Sequence, residues 1–252
     1  MEDAHLEEVL KDFRRDGYVI FKDIFSKDYI NTLYADFIGT YGHHFLEENE
    51  GDVVKVGDRR IQLSVKVKGA FNSPELYANP FVLAFLKGIF NHRFIISDLT
   101  CVTSKPGAQK MRIHRDGAIF EGLALAPLLP AHAIGVLIPL IPFTQLNGPT
   151  RYWPGSHRTN QMLADFEGNL NFIEPEIDTG SCILMDHRLV HSGNPNRSTQ
   201  LRPLLYCNYS FPWYFDHINF KTEAHLEVDD KNYERIPTEY KPLFQRRNIK
   251  LL

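Results

Sequence analysis

The chain has 252 residues, of which 43% are hydrophobic and 23% charged, and its formal net charge is −3. This composition is typical of a globular protein with a full apolar core and unlike that of a disordered chain. A slightly negative chain offers no basic surface to phosphate backbones, so we expect a small-molecule partner rather than a nucleic acid. The three cysteines are odd in number and lie in apolar runs, which indicates reduced, packed thiols and a cytoplasmic location.

The longest apolar stretch, residues 123–143, is interrupted by four prolines and therefore does not predict a membrane span. The acidic N-terminus lacks the basic start and apolar centre of a secretory signal. The length fits a single domain over residues 1–252. We expect N-terminal helices at about 2–42, a β-rich core at about 53–220 and a polar tail at 221–252 that wraps the surface.

Two helices are predicted before the β-rich core. Apolar residues recur at helical spacing from Leu6 to Phe13, and Gly17 ends a first helix over residues 2–16. The stretch YVIFKDIF then predicts a strand. Ser26 caps a second helix that continues to Gly42 and has one apolar face. We expect both helices to pack against the outside of a sheet.

From about residue 53 the chain consists of short runs rich in β-branched and aromatic residues, separated by Gly, Pro, Asn and Asp. These runs lie at residues 60–67, 93–103, 110–116, 133–143, 151–157, 181–191 and 203–211. One helical segment, residues 74–90, interrupts them. The pattern predicts a mainly β fold, a double-sheet jelly roll or barrel with helices packed on one face.

The stretch MRIHRDGAIF places His114 and Asp116 two positions apart, on the same side of a strand. They are either two polar residues on a barrel wall or two ligands of a metal whose third ligand lies elsewhere. An octahedral Fe(II) site with open positions uses two histidines and one carboxylate. The remaining histidine candidates are His132, His157, His187 and His191. We select His191, because it ends a strand directly before the turn SGNPNRS, where its ring can face the mouth of a barrel.

Arg202 begins the last long strand, in the stretch STQLRPLLYCNYSF. A guanidinium that points into an apolar barrel is costly unless it meets an anion, and its planar fork matches a carboxylate. Arg202 is therefore either a clamp for a dicarboxylate or a surface arginine paired with an acidic residue.

Four ordered blocks extend this pattern over roughly residues 10–220. FRRDGYVIFKDIFSKDYINTLYADF, SKPGAQKMRIHRDGAIF, LNGPTRYWPGSHR and MDHRLVHSGNPNRSTQLRPLLYCNYSFPWYFD resemble the successive blocks of the phytanoyl-CoA dioxygenase family of Fe(II)- and 2-oxoglutarate-dependent oxygenases. The resemblance implies a double-stranded β-helix, a cupin-like jelly roll. It also implies that His114, Asp116 and His191 hold Fe(II) and that Arg202 binds the distal carboxylate of 2-oxoglutarate.

The same resemblance implies that O2 is the second cosubstrate and that a C–H bond of a small organic molecule is oxidised, with release of succinate and CO2. Gly193 departs from the pattern, because some relatives carry Ser two residues after the distal histidine. Further cosubstrate contacts are predicted at Thr103, Thr150 and Ser192. Substrate contacts are predicted at Arg60, Gln62, Phe120 and Trp213.

Two other classes stay open at this point. A jelly-roll isomerase or hydrolase that uses zinc or manganese fits the metal ligands but leaves Arg202 unexplained. A non-catalytic binding module of the same fold would be expected to have lost a ligand, whereas this chain keeps all three. We expect a monomer or homodimer.

Overall fold

The computed structural model describes residues 3–46, 54–117, 119, 123, 126–216 and 226–249. The helices in these ranges are α1 (Asp3–Asp16), α2 (Lys27–Tyr41), α3 (Pro74–Tyr77), α4 (Pro80–Phe90) and α5 (Asp230–Glu234). The two predicted N-terminal helices are confirmed. The Ser26 side chain accepts a hydrogen bond from the backbone N–H of Tyr29 and caps α2. Gly17, with φ of 82°, follows α1 directly.

The described strands are β1 (Tyr18–Phe21), β2 (Val54–Gly57), β3 (Arg60–Ser64), β4 (Ile95–Ser104), β5 (Ala133–Pro139), β6 (Thr150–Tyr152), β7 (Cys182–Asp186), β8 (His191–Gly193) and β9 (Arg202–Ser210). Seven of them form a major sheet in the order β1-β7-β5-β9-β4-β3-β2, and β6 pairs with β8 in a minor sheet. All these pairs are antiparallel. The predicted mainly β, two-sheet architecture with flanking helices is confirmed.

The strand register separates a helix-covered face of the major sheet from an inner face. Residues such as Leu99, Cys101, Leu205 and Cys207 belong to the large core cluster that also contains the buried side of α1, α2 and α4. The alternate residues of β9 point the other way, because side chains alternate along a strand. The inner face thus carries one row formed by Arg60, Ser104 and Arg202, and another formed by Asp98, Asn208 and Gly135.

The predicted strand at residues 151–157 ends at Tyr152, and two further predicted strands next to the site are also wrong in their extent. Residues 110–116 form only an isolated bridge between His114 and His191 rather than a continuous strand. The predicted strand over residues 181–191 is divided between the two sheets, as β7 and β8. The break has a local cause, because the Asp186 carboxylate accepts hydrogen bonds from the backbone and the guanidinium of Arg188 and so stabilises a turn.

The C-terminal tail does more than wrap the surface, so that prediction is wrong for residues 226–249. Leu226, Val228, Ile236 and Phe244 are buried in the large core cluster. The predicted packed thiols are confirmed, since Cys101, Cys182 and Cys207 are free and buried. Across the ranges described above, no helix combines the length and the apolar character needed to cross a bilayer.

Candidate metal centre

His114, Asp116 and His191 converge as predicted. One potential ligand atom from each residue lies within 4.8 Å of the other two. Asp116 Oδ1 is 3.5 Å from His114 Nε2 and 3.5 Å from His191 Nε2. A single ion placed between the three atoms can contact all of them at ordinary bond lengths of about 2 Å.

Backbone hydrogen bonds fix the positions of the three residues. His114 and His191 exchange two backbone hydrogen bonds, each 3.0 Å long, which places their side chains next to each other. The Asp116 N–H donates to the carbonyl of His187, at the turn that separates β7 from β8. The break in the predicted strand is therefore what brings the carboxylate to the two histidines.

The hydrogen bonds of both imidazoles leave the same nitrogen free for a metal. His114 Nδ1 is 3.0 Å from the carbonyl of Arg112, and His191 Nδ1 is 3.0 Å from the carbonyl of Leu189. A carbonyl can only accept, so each Nδ1 carries a proton, and each Nε2 faces Asp116 and is the nitrogen that can bind a metal. Such outer hydrogen bonds orient metal-ligating histidines.

The electrostatics of the three residues favour a cation between them. Burial alone would raise the pKa of Asp116, but the neighbouring His191 and His114 outweigh it and hold that pKa well below its ordinary value. Burial would also lower the pKa of His191, but Asp116 outweighs it and raises that pKa. The half-buried carboxylate is thus ionised and attracts positive charge.

Arg202 lies at the beginning of β9 with its side chain buried, so the alternative of a surface arginine is wrong. Its Nε and Nη1 have no hydrogen-bond partner in the described part of the chain, and neither has the Oγ of its register partner Ser104. The guanidinium packs 4.6 Å from the ring of Phe143. Buried N–H groups of a cation without a partner fit an anion such as a carboxylate.

Arg60 is also buried, and its two terminal nitrogens donate to the carbonyls of Gln109 and Asn194. A Cβ at Gly193 would lie 3.3 Å from its Nε. The guanidinium of Arg60 therefore occupies the space next to Gly193. Burial and the charge of Arg202 lower the pKa of Arg60 to about 10.

The structure brings some of the other predicted residues to the site. Thr150 shares a face of β6 with Tyr152, the register partner of His191, and Gln62 shares the inner face of β3 with Arg60. Phe120 lies outside the described residues.

Three predicted contacts are placed elsewhere. Thr103 faces the helix-covered side of the sheet, 3.7 Å from Cys101 Sγ. Ser192 points away from the face of His191 and donates to the carbonyl of Met111. Trp213 is 64% exposed, whereas the adjacent Tyr214 is buried beside Gly117.

Ser104 is a site residue that the sequence reasoning missed. Nearly all of β4 is buried, so its sequence shows no alternation that would tell the inner face from the outer one. The predicted contact Thr103 is adjacent to Ser104 in the sequence, and a shift of one position along a strand reverses the face of a side chain. Only the register with Arg202 identifies the correct residue.

The fold and these residues define a jelly roll with a 2-His-1-carboxylate metal centre beside a buried arginine. The family model for phytanoyl-CoA dioxygenase matches residues 13–204, and the chain belongs to this family.

Individual relatives agree with this assignment. Dioxygenase af480 of Aspergillus fumigatus is 30% identical over 141 residues, which are 55% of this chain and 44% of that protein. Dioxygenase FrzG of a Cladobotryum species is 24% identical over 213 residues, which are 76% of this chain and 70% of that protein. The chain thus spans about half to two thirds of the length of these relatives.

A solved structure shows the same fold. The epimerase SnoN, in complex with Fe3+, alpha ketoglutarate and nogalamycin RO, has a TM-score of 0.65 and 16% identity to this chain. The match covers 83% of this chain and 85% of that one.

Proposed function

We propose that the protein is an Fe(II)- and 2-oxoglutarate-dependent dioxygenase that oxidises a C–H bond of a small organic molecule. The observation that carries this proposal is the triad of His114, Asp116 and His191 together with the buried guanidinium of Arg202, whose Nε and Nη1 have no partner among the described residues. The metal ligands suit Fe(II), and the arginine suits the distal carboxylate of the keto acid.

When bound, iron with 2-oxoglutarate and O2 supplies the oxidising chemistry and converts the keto acid to succinate and CO2. The side chains of the protein bind and orient the metal and the dicarboxylate. His114 and His191 present Nε2 to the metal while their Nδ1–H groups donate to backbone carbonyls. Arg202 orients the dicarboxylate, with Ser104 Oγ and Thr150 as its further proposed contacts.

The two other classes fit these observations less well. An isomerase or hydrolase with zinc or manganese needs no buried, unpaired arginine beside the metal. A binding module without catalysis needs no intact set of three ligands. The relatives named as dioxygenases support the oxygenase. SnoN is an epimerase whose complex contains Fe3+ and alpha ketoglutarate, and it supports the pairing of iron with the keto acid in this fold.

We also propose a single domain that works in the cytoplasm on a small molecule, as a monomer or homodimer, without nucleic acid or membrane as a partner. The free, buried cysteines and the net charge of −3 support this setting. SnoN is a relative with a small molecule bound, since its complex contains nogalamycin RO.

Anaerobic titration tests the proposed function. Addition of Fe(II) and 2-oxoglutarate should produce the weak visible charge-transfer band of the chelated keto acid. His114→Ala and Asp116→Ala should abolish the band, whereas the same change at the exposed His92 should preserve it. A wild-type protein without the band, or a band unchanged in the ligand variants, would refute the proposal. Release of succinate with O2 across a panel of metabolites then identifies the substrate.

A further inference from the structure

The inner face of the major sheet carries a second polar cluster, formed by Asp98, Asn208 and His187. Asp98 and Asn208 are register partners on β4 and β9, and Gly135 on β5 continues their row. His187 follows β7, and its carbonyl accepts the hydrogen bond from the backbone of Asp116. The cluster therefore adjoins the metal centre without containing any of its ligands.

The cluster and Arg202, the proposed partner of the cosubstrate carboxylate, lie at opposite ends of β9. Arg202 and Asn208 are six residues apart, which corresponds to about 20 Å along a strand. Tyr206 lies between them on the same face, and burial together with the Asp116 carboxylate raises its pKa. A dicarboxylate that extends from Arg202 to the metal therefore leaves Asn208 on the far side of the metal, where a substrate can bind.

Two side chains of the cluster have buried polar atoms that lack a partner among the described residues. Asn208 Nδ2 donates to Asp98 Oδ1 at 2.8 Å, which leaves Asn208 Oδ1 without a donor. Both ring nitrogens of His187 also have no partner there. Asn208 and His187 are only 8% and 3% exposed, so these atoms are hidden from bulk water. Unpaired buried polar atoms are costly, and a native structure retains them for a reason.

Glycine at position 135 lets these atoms approach each other. A Cβ on Gly135 would lie 3.0 Å from Asn208 Oδ1 and 3.7 Å from His187 Nε2. Any larger residue would occupy the place where the two polar side chains converge. An acceptor and an imidazole thus face the same small region next to the metal.

We propose that Asn208 and His187 bind a hydroxyl or amino group of the substrate, next to the C–H bond that reacts; this inference rests on the proposed function. A hydroxyl donates to Asn208 Oδ1 and accepts from a ring N–H of His187. An ammonium group donates to Asn208 Oδ1 and to a ring lone pair of His187.

The surroundings of Asn208 Oδ1 disfavour an anion. A carboxylate has no proton for Asn208 Oδ1, and it would lie close to the carboxyl of Asp98. Asp98 is held in place by hydrogen bonds from Asn208 Nδ2 and Ser97 Oγ. The cluster therefore selects substrates with a hydrogen-bond donor over acids and phosphates.

Paramagnetic relaxation of small probes tests this selectivity. The protein is loaded with Mn(II) and 2-oxoglutarate, and the proton relaxation of cyclohexylamine, cyclohexanol and cyclohexanecarboxylate is measured at equal concentrations. The three probes share one ring and differ in the polar group. We expect strong relaxation of the amine and the alcohol, which bind beside the metal, and weak relaxation of the carboxylate.

Two variants test whether Asn208 and His187 cause the selective relaxation. In Asn208→Leu and in His187→Leu, relaxation of the amine and the alcohol should fall by about tenfold, the effect of losing one buried hydrogen bond. Asn171→Leu is the matched control, because it replaces an exposed asparagine by leucine, and its relaxation of the probes should equal that of the wild type. Equal relaxation of the carboxylate, or unchanged relaxation of the amine in folded leucine variants, would overturn the proposal.

The visible band of the iron complex separates the two proposals. If the wild type shows the band but no preference among the probes, only the inference about Asn208 and His187 is wrong. If the band is absent but the donor probes still relax selectively beside Mn(II), the proposed function is wrong and the cluster remains a donor-binding site.

Discussion

Arg60 and Arg202 lie on the inner face of the major sheet on either side of Ser104, each one strand away from it. Both guanidinium groups are buried, yet they are bound differently. The terminal nitrogens of Arg60 donate to backbone carbonyls, whereas Nε and Nη1 of Arg202 have no partner among the described residues. Two buried cations only two strands apart repel each other, so an anion bound near both of them stabilises both.

The first prediction follows from this difference. Arg202→Ala should weaken binding of 2-oxoglutarate by about a hundredfold or more, because a buried carboxylate loses its charged partner. Arg202→Lys should recover only part of the affinity, since an ammonium group cannot form the paired fork. Titration of the visible band measures both variants. Metal affinity should stay at the wild-type value, and an equal loss of metal and cosubstrate would instead indicate a structural role.

Arg60 provides the matched comparison. Arg60→Met should weaken 2-oxoglutarate binding less than Arg202→Ala, because its terminal nitrogens are already engaged by Gln109 and Asn194. It should lower the free energy of unfolding by about 2 kcal/mol, since the carbonyls of Gln109 and Asn194, the second of which is buried, lose their donors. Urea unfolding measures this loss. A larger effect on 2-oxoglutarate than on stability would make Arg60 a direct cosubstrate contact.

The second prediction concerns pH. His132 is buried against the ring of Tyr214, with its Nε2 2.8 Å from the carbonyl of Gly117. Burial lowers the pKa of His132 from 6.5 to about 4. The unfolded chain therefore takes up a proton at a higher pH than the folded one, and stability is lost as the pH falls below 6.5.

Between pH 7 and pH 5 this residue should contribute a loss of about 2 kcal/mol in the free energy of unfolding. His132→Gln keeps a donor for the Gly117 carbonyl but cannot take up the proton. Urea unfolding at the two pH values should show a correspondingly smaller loss in the variant. Equal pH dependence in both proteins would contradict the assignment.

The third prediction compares two glycines with nearly the same backbone. Gly148 and Gly155 have φ of 79° and 78°. A Cβ on Gly148 would lie 2.4 Å from the carbonyl of Pro195 and 2.6 Å from that of Asn194, whereas on Gly155 its nearest contact would be 3.7 Å away. The two sites therefore share the conformational strain but differ in steric overlap.

Gly155→Ala should cost about 1 kcal/mol of stability through strain alone. Gly148→Ala should cost about 3 kcal/mol or more, because two backbone segments must also separate. It should weaken 2-oxoglutarate binding as well, since Thr150 lies two residues after Gly148 and Gly193 directly precedes Asn194. Thermal and urea unfolding give the comparison, and similar losses at both positions would be inconsistent with the close contact.

The helices, the approximate positions of the strands and the metal ligands can be predicted from the sequence, because short sequence patterns indicate each of them. Helical periodicity and the Ser26 cap define α2, and the His114 and Asp116 pair with a distant His191 defines the ion site. The strand register is not local. Both faces of β4 are buried, so the sequence cannot indicate that Ser104, and not Thr103, faces Arg202.

The cluster of Asp98, Asn208 and His187 could not be predicted from the sequence for the same reason. Its members are more than 100 residues apart at the extremes, and they meet only because β4, β9 and β5 are adjacent. His187 was considered only as a metal ligand. Its actual position results from the turn at Asp186 and Arg188, which ends β7 one residue before it. Such turns depend on side-chain hydrogen bonds that periodicity does not reveal.

The last prediction tests the contribution of the tail to the core. Phe244 is 1% exposed and packs edge to face on Tyr77, with ring centroids 5.0 Å apart. The carbonyl of Tyr77 accepts a hydrogen bond from the hydroxyl of Tyr209 on β9. Phe244→Ala should therefore reduce the free energy of unfolding by about 3–5 kcal/mol, the cost of a large cavity in a packed core. Ile249→Ala, at a residue that is 42% exposed, should cost less than about 1 kcal/mol. Urea unfolding of the two variants measures the difference, and a small loss for Phe244→Ala would mean that residues 226–249 only cover the surface.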